Sequence, residues 1–142
     1  MPQFEPKHLG IKKSVPEHPE YTILDSFDAP GVVTVTFKTK EFTSLCPVTG
    51  QPDFVDVQIT YRPDKKCLES KSVKLYLQSF RNEHSFMETL SCRIFDDIML
   101  AVQPLWLNVT VQSTPRGGIG LVSSRETGME DISKELKRIK EK

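Results

Sequence analysis

The chain reads as an α+β fold with a mainly antiparallel sheet, ordered strand, strand, helix, helix, strand, strand. Three observations predict it: β-branched runs before residue 62, helical apolar spacing after Ser70, and renewed alternation from Leu105. Val32-Val33-Thr34-Val35-Thr36-Phe37 is the first strand. Phe54-Val55-Asp56-Val57-Gln58-Ile59-Thr60-Tyr61 is the second, stopped by Arg62-Pro63-Asp64. Between them Glu41 to Asp53 holds Pro47, Gly50 and Pro52 and reads as an irregular loop suited to function. Val73, Tyr76, Leu77 and Phe80 share one face of a first helix. Phe86, Leu90, Ile94, Ile98 and Val102 repeat every four residues along a second, which starts near Ser85 and is closed by Pro104. Leu105 to Val111 is a third strand, Arg116-Gly117-Gly118 a turn, and Ile119 to Val122 a short fourth strand.

Either side of this unit the composition changes. Residues 1 to 30 carry Pro2, Pro6, Pro16, Pro19 and Pro30 and read as an extended N-terminal arm with at most one short helix around Tyr21 to Phe27. Residues 31 to 123 form the domain proper. Residues 124 to 142 are charged, with Ile132, Leu136 and Ile139 marking a weakly amphipathic C-terminal helix. Such a sheet has two edges in need of cover, so association of subunits is expected.

Lys plus Arg and Asp plus Glu both number 19, which argues against bulk electrostatic binding of nucleic acid. No apolar run approaches the ~20 residues of a membrane span. Met1 to Lys13 holds no apolar signal-peptide core, so a cytoplasmic protein is expected. Cys46, Cys67 and Cys92 are an odd set with no CxxC pair, a poor disulfide framework and a poor zinc site. His8, His18 and His84 are too scattered to form a ligand set, and no metal is expected.

Two motifs carry a resemblance. Glu41-Phe42-Thr43-Ser44-Leu45-Cys46-Pro47-Val48-Thr49-Gly50-Gln51-Pro52-Asp53-Phe54 resembles the active-site loop of the bacterial 7-cyano-7-deazaguanine reductases. Glu69-Ser70-Lys71-Ser72-Val73-Lys74-Leu75-Tyr76 is similar to that family's NADPH-associated signature at all eight positions. Ser79-Phe80-Arg81-Asn82 and Thr114-Pro115-Arg116-Gly117-Gly118-Ile119 also look like family segments, so the resemblance covers roughly residues 40 to 122. It implies a tunnelling fold over residues 31 to 123, an oligomeric barrel with active sites between subunits, and NADPH-dependent reduction of a deazapurine nitrile to an amine on the way to queuosine. Many members have Phe-His-Glu where this chain has Phe86-Met87-Glu88, so no imidazole is available there.

The chemistry that the resemblance implies needs a nucleophilic Cys and a nearby acid. A nitrile accepts hydride poorly, whereas the thioimide formed by thiolate addition accepts it well. Cys46 is the nucleophile and Asp53 the proton donor, its carboxyl raised by burial. Lys71, Lys74 or a loop amide would lower the Cys46 pKa if close. The bland reading of any single cysteine is a small buried hydrophobe, and Cys67 and Cys92 keep it. Glu88 suits the paired N–H groups of a guanine-like edge, and the resemblance adds Glu69, Ser70 and Phe86 to the substrate side. Ser85-Phe86-Met87-Glu88 is equally a capping box, so two readings of Glu88 stand side by side. Lys71, Lys74, Ser72, Arg116 and Gly117 are the candidate NADPH contacts. A solvated helix face and a tight turn are their plain alternatives. No GxGxxG follows a strand, so a Rossmann mode is not supported. Two other functions stay open: an amidine-forming relative acting on nitrile-bearing tRNA, and a non-catalytic purine-binding oligomer.

Overall fold

The computed structural model describes residues 15–32, 34–128 and 141. The expected C-terminal helix, with Ile132, Leu136 and Ile139, lies outside the described residues, as do residues 1–14 of the N-terminal arm. Among the described residues six strands and two helices follow in order: β1 (Ser26–Asp28), β2 (Val35–Leu45), β3 (Pro52–Arg62), β4 (Lys66–Leu68), α1 (Ser70–Gln78), α2 (Met87–Val102), β5 (Trp106–Ser113) and β6 (Val122–Glu126). Strands β2-β3-β5-β6 make one antiparallel sheet in that order, so β2 and β6 are its edges. Helices α1 and α2 cover one face: α1 against β2, and α2 against β5 and β6.

The alternation of β3 explains the layering. Val55, Val57, Ile59 and Tyr61 are buried against the helices, while Phe54, Asp56, Gln58 and Arg62 are exposed. In β2 the same alternation is interrupted. Thr39 pairs with Val57 and Phe42 with Val55, so Lys40 and Glu41 together oppose Asp56 in a β-bulge. The bulge moves the core face from odd residues (Val35, Phe37) to even ones (Phe42, Ser44). The irregularity read as the start of a loop at Glu41 is therefore a fault within a strand that continues to Leu45. The true loop is only Cys46 to Gln51.

Leu90, Ile94, Ile98 and Val102 are buried along α2 as the spacing predicts, each worth about 1.5–3 kcal/mol of apolar burial. Phe86 departs from that stripe and is 56% exposed, standing at the N-cap outside the helix. A four-residue step overruns the 3.6-residue turn, so Met87 takes the buried place. After Val102, Gln103 adopts a left-handed conformation and Pro104 follows.

Two boundaries move. The fourth strand is Val122–Glu126, not Ile119 to Val122, because residues 116–119 are spent on the glycine turn; the sheet thus runs past residue 123. The arm is also not a mere appendage: a single 3-10 turn, Tyr21–Ile23, buries Ile23 and Leu24, and β1 pairs with β4 in a second small sheet. No described helix is long and apolar enough to cross a membrane.

Candidate active site

The end of the β2–β3 hairpin turns sharply. Cys46 N–H donates to Gln51 O at 2.8 Å and Gly50 N–H to Cys46 O at 2.9 Å, with Gly50 at φ 71°. That closure brings the Thr49 hydroxyl and the backbone amides of Thr49 and Val48 onto the Cys46 sulfur. Together they hold its pKa below the ordinary thiol value, with the hydroxyl contributing most. Partial burial and the negative charge of Asp53 work the other way. Loop donors, rather than Lys71 or Lys74, are thus what favour the thiolate.

Where β3 begins, Asp53 pairs across the hairpin with Ser44, and its side chain is 15% exposed. Burial was expected, but a guanidinium also faces it: Arg116 Nη2 lies 2.7 Å from Asp53 Oδ1 and donates to Pro52 O at 2.8 Å. Arg116 is presented by a turn in which Arg116 and Ile119 exchange backbone hydrogen bonds of 3.0 Å each. Gly117 and Gly118 sit there at φ 58° and 79°, where a side chain would strain the backbone. Gly117 therefore shapes the turn, and Arg116, its side chain about half exposed, pairs with Asp53.

Cys46, Asp53, Phe86, Glu88 and Arg116 line one groove of about 450 Å³, with Phe54, Met87 and Ile119 among its apolar walls. Glu88 lies in the first turn of α2 and is exposed. The capping box does not form. The N-cap is Phe86, without a side-chain cap bond, and the Ser85 hydroxyl donates to Phe86 O at 3.2 Å. Among the described residues the Glu88 carboxylate has no partner, so it is available to a ligand. Met87 is almost fully buried in the wall, where an apolar side chain fits the core behind it.

The second signature goes elsewhere. Ser70 and Lys74, with Lys38, line a separate groove of about 400 Å³ between β2, β3 and α1. It shares no lining residue with the first. Glu69 caps α1 by accepting from Lys71 N–H (2.7 Å) and Ser72 N–H (2.8 Å). Its half-buried carboxylate thus serves the helix N-terminus within this chain. Ser72 is fully buried; its hydroxyl donates to Glu69 O and accepts from Asp25 N–H. It cannot meet a cofactor at the surface, and its place in the signature is structural. Lys71 is exposed and lines neither groove. Cys67 is buried, and burial pushes its thiol up; Cys92 is half-buried on α2.

Sequence reasoning passed over Thr49 and Lys38. Thr49 was legible in principle, as the residue before a turn glycine three positions from Cys46. Lys38 lies on a strand outside both motifs.

Residues 52–132 match the family described as QueF-like protein. A protein of Nitratidesulfovibrio vulgaris named NADPH-dependent 7-cyano-7-deazaguanine reductase is 47% identical over 119 residues, covering 80% of this chain and 71% of that protein. One of the same name from Chelativorans sp. is 46% identical over 125 residues, covering 84% and 81%. The fold is similar to that of the archaeosine synthase QueF-Like in its apo form, with TM-score 0.65, 26% identity, and coverage of 69% of this chain and 96% of that one. On the family match and these identities, the chain belongs to the QueF-like protein family.

Proposed function

We propose that this chain reduces the nitrile of 7-cyano-7-deazaguanine to the aminomethyl group, an oxidoreductase step toward queuosine, by way of a thioimide on Cys46. The observation that carries the reading is the convergence of Cys46, Asp53 and Glu88 on one groove. Relatives at 44–50% identity share the reductase name. The archaeosine synthase likeness, at 26%, is the weaker one and does not favour the amidine-forming alternative.

Glu88 accepts two N–H groups of the purine-like edge, and the exposed ring of Phe86 lies against its face. Thiolate addition by Cys46 makes the C–S bond, and a proton goes to the nitrile nitrogen, so the thioimide holds every atom of the substrate. That proton is the one the Cys46 thiol gives up: Asp53, ionised beside Arg116, takes it on Oδ2 and passes it to the nitrile nitrogen, while Oδ1 is held by Arg116. NADPH, when bound, supplies hydride, and a four-electron reduction takes two. After the first, the C–S bond breaks, the sulfur leaves with its electron pair, and an imine is left for the second. Ser70, Lys74 and Lys38 fit an anionic cofactor, as two ammonium groups against one carboxylate, Glu41, beside an apolar wall. Since their groove is separate from that of Cys46, active sites shared between subunits complete the reading.

The test uses intact protein and mass spectrometry. Nitrile alone should add its whole mass to Cys46, and NADPH should then be oxidised at two per amine formed. Cys46→Ala should lose both, whereas Cys67→Ala and Cys92→Ala should keep them. An adduct on another cysteine, or turnover by Cys46→Ala, would sink the mechanism. An adduct without NADPH oxidation would favour the amidine-forming reading, and no thiol reactivity at all the binding oligomer.

A further inference from the structure

Between the 3-10 turn Ser79–Asn82 and α2, residues 83–85 form neither helix nor strand, yet they hold both sides of the Cys46 groove. Leu45 N–H donates to Glu83 O at 2.9 Å, and Ser85 N–H donates to Leu45 O at 3.1 Å, a parallel bridge centred on His84. Leu45 immediately precedes Cys46. Ser85 immediately precedes Phe86, the N-cap of the helix that carries Glu88. These two backbone bonds are thus the short route by which the nucleophile and the carboxylate across the groove are kept in register.

Residues 83–85 are held from the preceding turn by Glu83 N–H, which donates to Phe80 O at 2.9 Å, and from the arm by the Glu83 side chain. His84 is exposed, and the Ser85 hydroxyl bonds only locally. Glu83 Oε1 lies 3.0 Å from His18 Nδ1, and Oε2 lies 3.8 Å from Arg93 Nη1. A carboxylate only accepts, so Nδ1 carries the proton in this pair. Arg93 also donates to Pro19 O at 2.9 Å and stands over the Phe80 ring at 5.5 Å. Arg81 donates to Pro16 O at 2.8 Å. The stretch 16–19 is therefore tied at both ends across the back of the groove wall, with Glu83 between it and Leu45.

We propose that Glu83 is a positioning residue, held by His18 and Arg93, that sets the separation of Cys46 from Glu88 from outside the groove. The His18 side chain is 75% exposed, and an ion pair so open to water contributes little to folding. Its effect lies in geometry, because displacement of reacting groups by about 1 Å costs up to roughly a hundredfold in rate. The inference rests on the proposed Cys46 addition, and the parent chain is the control for that.

The experiment follows Cys46 adduct formation with 7-cyano-7-deazaguanine alone, by intact-mass kinetics, alongside the KM for NADPH and thermal unfolding. Glu83→Ala should slow the adduct about tenfold while leaving the NADPH KM within about twofold. Glu83→Gln, which keeps an acceptor for His18, should recover most of the rate. His18→Ala, a surface change that spares folding, should slow the adduct in the same direction but less; it decides the matter if Glu83→Ala does not fold. An adduct rate unchanged in Glu83→Ala or in a folded His18→Ala chain overturns the proposal. So does an equal loss in adduct rate, NADPH KM and stability, which marks general loosening. A parent chain that forms no adduct refutes the underlying function instead.

Discussion

Replacing Glu88 by Gln separates two roles that the sequence leaves entangled. The side chain keeps its size but cannot accept two N–H groups as a carboxylate does. Glu88 is exposed, its carboxylate makes no hydrogen bond among the described residues and does not cap α2, so the change leaves no buried group unpaired. The loss to the fold is limited to a negative charge in the first helical turn, about 0.3–1 kcal/mol. The loss to binding is that of hydrogen bonds to a charged group, about 1.5–3 kcal/mol, or roughly 10- to 150-fold in affinity. The assay is calorimetric titration of 7-cyano-7-deazaguanine into Cys46→Ala chains, where no covalent step follows, with thermal unfolding of the same proteins. An affinity within about twofold of the parent, with a stability loss above about 1 kcal/mol, would refute the reasoning and return Glu88 to a helix-end role.

Thr49→Val removes the largest of the hydrogen bonds that lower the Cys46 pKa. Thiolate forms above that pKa, so the midpoint of the rise of iodoacetamide alkylation with pH should move up; an unmoved midpoint would show that the backbone amides act alone. Tyr76→Phe removes a hydroxyl that donates to Asp97 Oδ2 at 2.6 Å and should cost about 1–3 kcal/mol in urea unfolding. Burial holds the Asp97 carboxyl above the usual carboxylate range, so its stabilising protonated form is lost as pH rises through its titration, a loss the Tyr76 bond opposes. Tyr76→Phe should therefore cost more at neutral than at acid pH, and an equal cost at both would contradict this. If sites are shared between subunits, refolded mixtures of Cys46→Ala with a Lys38→Ala, Lys74→Ala chain should regain up to about one quarter of parental activity. Sites complete within one chain would give none.

The fold was legible where one periodicity holds over a whole element. The α2 stripe from Leu90 to Val102 and the alternation of Val55 to Tyr61 are both core faces. It was obscured where two periods meet. The bulge at Lys40 and Glu41 inverts the facing of β2, so neither half alternates in step with the other, and a continuous strand reads as strand then loop. The short strands β1 and β4, three residues each, carry too little pattern to be seen; their pairing joins residues 38 to 42 apart in sequence.

In the site, legibility followed the distance over which each residue acts. Cys46 and Asp53 sit at the two mouths of one hairpin, and seven residues of sequence suffice to bring them together. The Ser85–Glu88 spacing suggested a capping box with Ser85 as N-cap, but Ser85 is paired with Leu45 and the helix is capped one residue later, at Phe86. That shift converts Glu88 from a cap into a free carboxylate facing Cys46. The Glu69 to Tyr76 signature was recognisable as a unit although its residues do different work: Glu69 and Ser72 build the N-terminus of α1, Tyr76 anchors the helix to Asp97, and Ser70 and Lys74 face a groove. A motif therefore marks a local structure before it marks a contact. Only the direction of each side chain tells which members reach a ligand, and for α1 that direction follows from burial: the residues at 72, 73, 76 and 77 turn inward, leaving 70 and 74 at the surface.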